Sequence, residues 1–168
     1  MAAVAVVHER SDIMGMYTGL RFKGYVKAKY RRDFEDIALY GEWSESKVKK
    51  FRNFGESHSR AGFIPCGALS YMPDSWETHP YHLDSKATDG FDTTYNRNTG
   101  YWTFQCSLKN YEGELEDFLE LVPEFIESVE WCEYFYEEWD YSRKYELIDG
   151  EMKCVDSKFI RYHNYTEE

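Results

Sequence analysis

The sequence predicts an α+β fold in which an antiparallel sheet carries helices on one face. Three stretches predict it. Leu115, Phe118, Leu119 and Val122 recur at helical spacing, with Glu114, Glu116, Asp117 and Glu120 turned to water. Val129 to Glu138 alternates as a strand does: Val129, Trp131, Glu133 and Phe135 point one way, and Glu130, Cys132, Tyr134 and Tyr136 the other. Phe91, Thr93 and Tyr95 alternate before a turn at Asn98-Thr99-Gly100. Trp102, Phe104, Cys106 and Leu108 then form the inner face of a returning strand, completing a hairpin.

Taken in order, Met16 to Val26 reads as a central strand, in which Gly19 and Gly24 mark a bulge or a close backbone approach. Tyr30, Phe34, Ile37 and Ala38 give a helical face that ends at Gly41, a C′ residue. Lys27, Lys29, Arg31 and Arg32 crowd its start, where the macrodipole prefers acids. A second helix is expected from Ser44, whose hydroxyl can cap it, to about Phe54, with Trp43 stapled onto Val48. From Gly55 to Gly90 the periodicity fails, and Pro65, Pro73 and Pro80 mark a long loop with one short strand at Ala68 to Tyr71. Beyond the hairpin, Pro123 limits the acidic helix to Glu112 to Val122 and leaves Phe125 and Ile126 as a further turn. Tyr141 to Ile148 pairs back on the preceding strand, and Asp149-Gly150 turns into a short last strand, Glu151 to Val155. The tail from Phe159 shows no period.

Without the insertions this order is β-α-β-β-α-β, the split βαβ of ferredoxin-like folds, with an extra C-terminal hairpin strand. Residues 1–13 read as an N-terminal extension, because Met14 and Met16 stand just before the first strand, and residues 14–168 as a single α+β domain with the long loop at 55–90.

The net charge is −11, unevenly spread: residues 1–60 carry twelve basic and eight acidic side chains, whereas residues 111–168 carry five and eighteen. That asymmetry predicts a dipole. General affinity for nucleic acid is disfavoured, since phosphate binding is driven by Lys and Arg, and a basic protein surface is the better partner. Cys66, Cys106, Cys132 and Cys154 contain no C-x-x-C pair, and no signal peptide or membrane span is read, which suits free thiols in a reducing cytosol.

Two site motifs arise in the long loop. The loop holds Cys66, His58, His79 and His82: His79-x-x-His82 with Cys66 has loose zinc spacing, and Cys66 before Gly67 could act as a nucleophile if a histidine lay beside it, but exposed loop histidines and one buried thiol are the simpler reading. No cofactor or metal motif is assigned. The strongest feature is the run from Glu112 to Asp140, with twelve Asp or Glu and no Lys or Arg. Glu116, Asp117 and Glu120 are expected on the exposed face of the helix. Glu130, Glu133, Glu137, Glu138 and Asp140 are expected near it at the sheet edge or open face, together a partner-binding surface. Runs of like charge also commonly serve only as a solvated face.

Met72-Pro73, the aromatic strand ending near Leu108, the following helix, Tyr134-Phe135-Tyr136-Glu137-Glu138 and the closing Tyr145 to Asp149-Gly150 resemble a family of small ferredoxin-like phage and plasmid accessory proteins of uncharacterised function. The likeness covers about Ala68 to Met152, and His79 to Asp89 stands where that family has a tryptophan-rich stretch. It implies a mobile-element protein in the cytoplasm of a bacterial host, one that blocks a host factor such as a nuclease or nucleoprotein of a defence system. The first expectation for function is therefore an acidic inhibitor that occludes a basic nucleic-acid-binding surface. The alternatives are a small-ligand binder with the long loop as a lid, or a small hydrolytic enzyme using carboxylates of the 130–140 strand, where only alternate residues such as Glu133 and Glu137 could converge. Homo-oligomerisation is left open.

Overall fold

The computed structural model describes residues 16–76 and 90–162. The proposed extension at 1–13, His79, His82 and residues 163–168 lie outside the described residues. The chain runs β1 (Thr18–Val26), α1 (Glu35–Tyr40), α2 (Lys49–Ser57), a short helical turn α3 (Phe63–Cys66), β2 (Thr94–Tyr95), β3 (Tyr101–Leu108), α4 (Glu114–Phe125), β4 (Ile126–Tyr136), β5 (Arg143–Ile148) and β6 (Glu151–Asp156). The strands make one six-stranded antiparallel sheet in the order β2-β3-β1-β4-β5-β6.

The period of two divides β1 between two layers. Leu20, Phe22 and Val26 join Trp102, Phe104, Cys106 and Leu108 of β3 on one face, under Leu115, Phe118, Leu119, Val122 and Phe125 of α4. Phe34, Trp43 and Phe51 complete this core, where ring pairs such as Phe34 and Trp102 meet edge to face at 4.8 Å, an arrangement aromatic quadrupoles favour. On the other face Met72, Trp76 and Phe135 form a second, smaller core with Tyr17 and Tyr162. Gly19 permits it: a Cβ there would collide with Met72 and Trp76.

The register of β1 on β4 slips twice, between Lys23 and Gly24 and between Tyr25 and Val26, leaving Glu130 and Glu127 as the extra residues of β4. The first slip reverses the alternation upstream of Trp131. Val129 therefore packs with the helix-side core and not on the face of Trp131, Glu133 and Phe135, as simple alternation predicts.

Several boundaries differ from the sequence expectation for identifiable reasons. The first helix starts at Glu35, not near Tyr30, so Glu35 and Asp36 occupy its first turn, and the basic residues precede it: Lys29 in the 3-10 turn Ala28–Tyr30, Lys27 and Arg31 at its two ends and Arg32 just after it. Gly41 does end it, in the left-handed conformation. The second helix starts at Lys49; Trp43 is buried in a separate 3-10 turn with its indole N–H on the Ile64 carbonyl, and Ser46, not Ser44, accepts the Val48 N–H. No strand forms at Ala68 to Tyr71, where the Ser107 hydroxyl contacts the carbonyls of Ala68 and Ser70 in place of a ladder. Pro123 does not end α4. It falls in the last turn, and the chain passes directly from Phe125 into β4, so Phe125 and Ile126 are a helix end and a strand start. The two expected strands after β4 do form, as β5 and β6, joined by Asp149 and Gly150, both with positive φ as a type I′ turn requires.

Phe104 is fully buried against Phe22 and Trp102. Phe104→Ala should cost about 3–5 kcal/mol in urea denaturation.

Candidate functional site

The acidic run does not present one surface. Along α4, Asp117, Glu120 and Glu124 stand at i, i+3 and i+7 on the exposed side, while Glu114, expected to face water, is fully buried. Glu116 is half-buried: it accepts hydrogen bonds from Asn110 Nδ2 at 2.8 Å and from the Tyr134 hydroxyl. In β4, Glu130 is exposed and accepts from the Tyr101 hydroxyl at 3.0 Å; burial and the Glu130 contact raise that phenol to about 12. Glu138 is exposed, Glu137 is half-buried on the Tyr17 N–H, and Asp140 pairs with Arg161 at 2.9 Å. Burial, opposed by the Tyr17 N–H and aided by Glu138, raises the Glu137 carboxyl above the ordinary range.

Glu133 departs furthest from expectation. It is fully buried on the second face, not at an edge or open surface. Its Oε1 accepts from Trp131 Nε1 at 3.1 Å and its Oε2 from the Tyr162 hydroxyl at 2.6 Å, and Tyr162 also accepts the Trp76 indole N–H. Arg21 is its direct neighbour across β1 and β4, donating to Gln105 at 2.9 Å and to the Ser75 carbonyl while its guanidinium covers the rings of Trp76 and Phe91. Burial, then Glu133, pushes the Tyr162 phenol far above its usual range. This is a satisfied interior network, and it leaves Glu133 and Glu137 both engaged by internal donors. The alternation of Trp131, Glu133 and Phe135 already placed this glutamate between two aromatics on one face, and that was the sequence signal for its burial.

The basic first part of the chain folds onto the acidic run. Arg31 meets Glu127 at 3.4 Å, Lys50 meets Glu124 at 3.3 Å, and Arg60 lies 3.7 Å from Glu114. Lys27 donates to the Pro123 carbonyl. His58, expected as one of the exposed histidines of the 55–90 loop, is instead buried just past α2, with Nε2 2.9 Å from Asp117 Oδ2 and Nδ1 3.9 Å from Glu112 Oε1. Glu112 N–H donates to Glu114 Oε1 at 3.1 Å, and burial raises the Glu114 carboxyl above its ordinary range. Glu114 shares a helical stripe with Phe118, Val122 and Phe125, a signal of burial that its charge concealed.

The four cysteines are free, and Cys66, expected to be a buried thiol, is exposed at the end of α3. Burial, then Glu42, pushes the Cys66 thiol up, which is the opposite of what an activated nucleophile needs. Among the described residues no helix is long and apolar enough to cross a membrane. No family model, curated protein or solved structure matches the chain.

Tyr162→Phe should strand Glu133 Oε2 and Trp76 Nε1 without partners. A loss of about 1–3 kcal/mol in chemical denaturation is expected, and a loss below about 0.5 kcal/mol would mean that water replaces the hydroxyl.

Proposed function

We propose that the protein is a protein-binding module whose outward carboxylates hold a basic, nucleic-acid-binding surface of another protein and occlude it. The observation that carries the reading is the exposed acidic ridge of α4, Asp117, Glu120 and Glu124, continued by Glu127 and Glu130 at the start of β4. Carboxylates fixed on a rigid helix and strand steer a basic partner and speed encounter. Glu124 and Glu127 hold their own cations only through exposed pairs, which contribute little and exchange readily for a partner's Lys or Arg. The overall charge of −11 favours the same class of partner. The strand order β2-β3-β1-β4, with helices between β1 and β2 and between β3 and β4, supports a ferredoxin-like split βαβ with β5 and β6 as an added hairpin. A role as a mobile-element inhibitor of a bacterial defence nuclease fits this chemistry.

A small-ligand reading has one observation in its favour, a depression of about 540 Å³ lined by Gly67, Leu69, Phe91, Thr93 and Gln105. It is polar and shallow, so the ridge is preferred.

The test is capture of basic proteins from bacterial lysate at low salt, followed by binding kinetics with the captured protein. Replacing Glu120, Glu124 and Glu127 together by Gln should keep the fold, because exposed substitutions shift stability by no more than about 0.5 kcal/mol each. Association should slow at least about tenfold, with a weaker salt dependence than wild type. Unchanged rate and salt dependence in the folded variant would overturn the reading.

A further inference from the structure

We infer that His58, Glu112 and Glu114 form a binding site for a divalent transition-metal ion, with Asp117 orienting the histidine. One ligand atom from each of the three residues lies within 4.8 Å of the others. Two of these side chains are interior and incomplete: His58 is only 8 % exposed and its Nδ1 has no hydrogen-bond partner, and Glu114 is fully buried with Oε2 likewise lacking one. Buried polar atoms normally have partners, so two unpartnered ones in a single cluster point to a group that completes them.

The histidine is arranged as a ligand. Nε2 lies 2.9 Å from Asp117 Oδ2, so in the neutral ring this nitrogen carries the proton and Nδ1 presents its lone pair toward Glu112 Oε1, 3.9 Å away. A carboxylate on the far ring nitrogen is the usual support of a metal-bound histidine. Ligand bonds of about 2.0–2.2 Å in a tetrahedral site place ligand atoms about 3.4 Å apart, so small side-chain adjustments suffice. One imidazole and two carboxylates suit zinc better than magnesium, which asks for an all-oxygen octahedron. Glu112, with its side chain 47 % exposed, leaves an entry path and an open fourth position for water. Arg60 is the competing cation, but at 3.7 Å from Glu114 Oε2 it is beyond hydrogen-bond range, and its guanidinium is stacked on Tyr111. A bound ion would tie the end of α2 to the start of α4, the same junction that the ion pairs brace.

Zinc should bind the purified full-length chain with one-to-one stoichiometry in calorimetry. At a hundredfold excess over Kd it should raise Tm by about 5–10 °C. Glu112→Gln, at an exposed position that tolerates change, should weaken zinc at least about tenfold, and Asp117→Asn should weaken it about 10–100-fold. Glu124→Gln, which removes another acid of the same helix, should leave affinity unchanged. The nitrogen resonance of His58 Nδ1 should shift on zinc addition, a response that an ion-paired brace would not give. Affinity unaltered in Glu112→Gln, no zinc binding, or an unshifted Nδ1 would each overturn the assignment.

Discussion

The structure depends on β1, which is paired on both sides and buried on both faces. Because side chains alternate, this one strand must satisfy an apolar layer and a polar one at once. Leu20 and Phe22 do the first by meeting the rings of β3 and the helix layer. Arg21, between them, does the second. A buried guanidinium needs acceptors and aromatic faces, and it has Gln105 on one flank, the Ser75 carbonyl, and the rings of Trp76 and Phe91. The segment through Trp76 and the stretch ending at Tyr162 are placed by this polar layer as much as by hydrophobic contact. Tyr162 bridges Glu133 and Trp76, and backbone bonds from Ser142 to Phe159 and Ile160 hold its segment in position.

Electrostatics connects the two ends of the chain. A basic first third and an acidic last third read in sequence as a dipole, yet folding brings Arg31, Lys50, His58 and Arg60 against Glu127, Glu124, Asp117 and Glu114. The acidic run thus divides by depth. Glu114 and Glu133 are interior, Glu116 and Glu137 are held by internal donors, and Glu120, Glu130 and Glu138 face outward. Only the outward group and the weakly paired members beside it can reach a partner.

What was legible in the sequence follows the same division. The apolar faces of β3 and α4 and the Asp149-Gly150 turn were readable because period and turn chemistry are local. The exact starts of α1 and α2 were not, since tertiary burial of Phe34 and Trp43 displaced the helices by several residues. The face that Val129 takes depends on a bulge at Glu130, which only the partner strand reveals. Glu133 and Glu114 carry the charge of surface acids, yet their positions between apolar neighbours point inward. The cluster around His58 is not legible in the sequence: the histidine stands more than fifty residues from Glu112 and Glu114, and only the packing of α2 beside α4 unites them.

Carboxylates of one run have opposite environments, Glu133 buried where it holds the fold together and Glu120 exposed to solvent. The most direct measurement compares urea denaturation of Glu133→Ala with that of Glu120→Ala. Loss of Glu133 leaves Trp131, Tyr162 and Arg21 without the group they surround and should cost about 2–4 kcal/mol, whereas loss of Glu120 should change stability by less than about 0.5 kcal/mol. Equal, small costs at both positions would contradict the account, because Glu133 would then be as dispensable to the fold as a solvated acid.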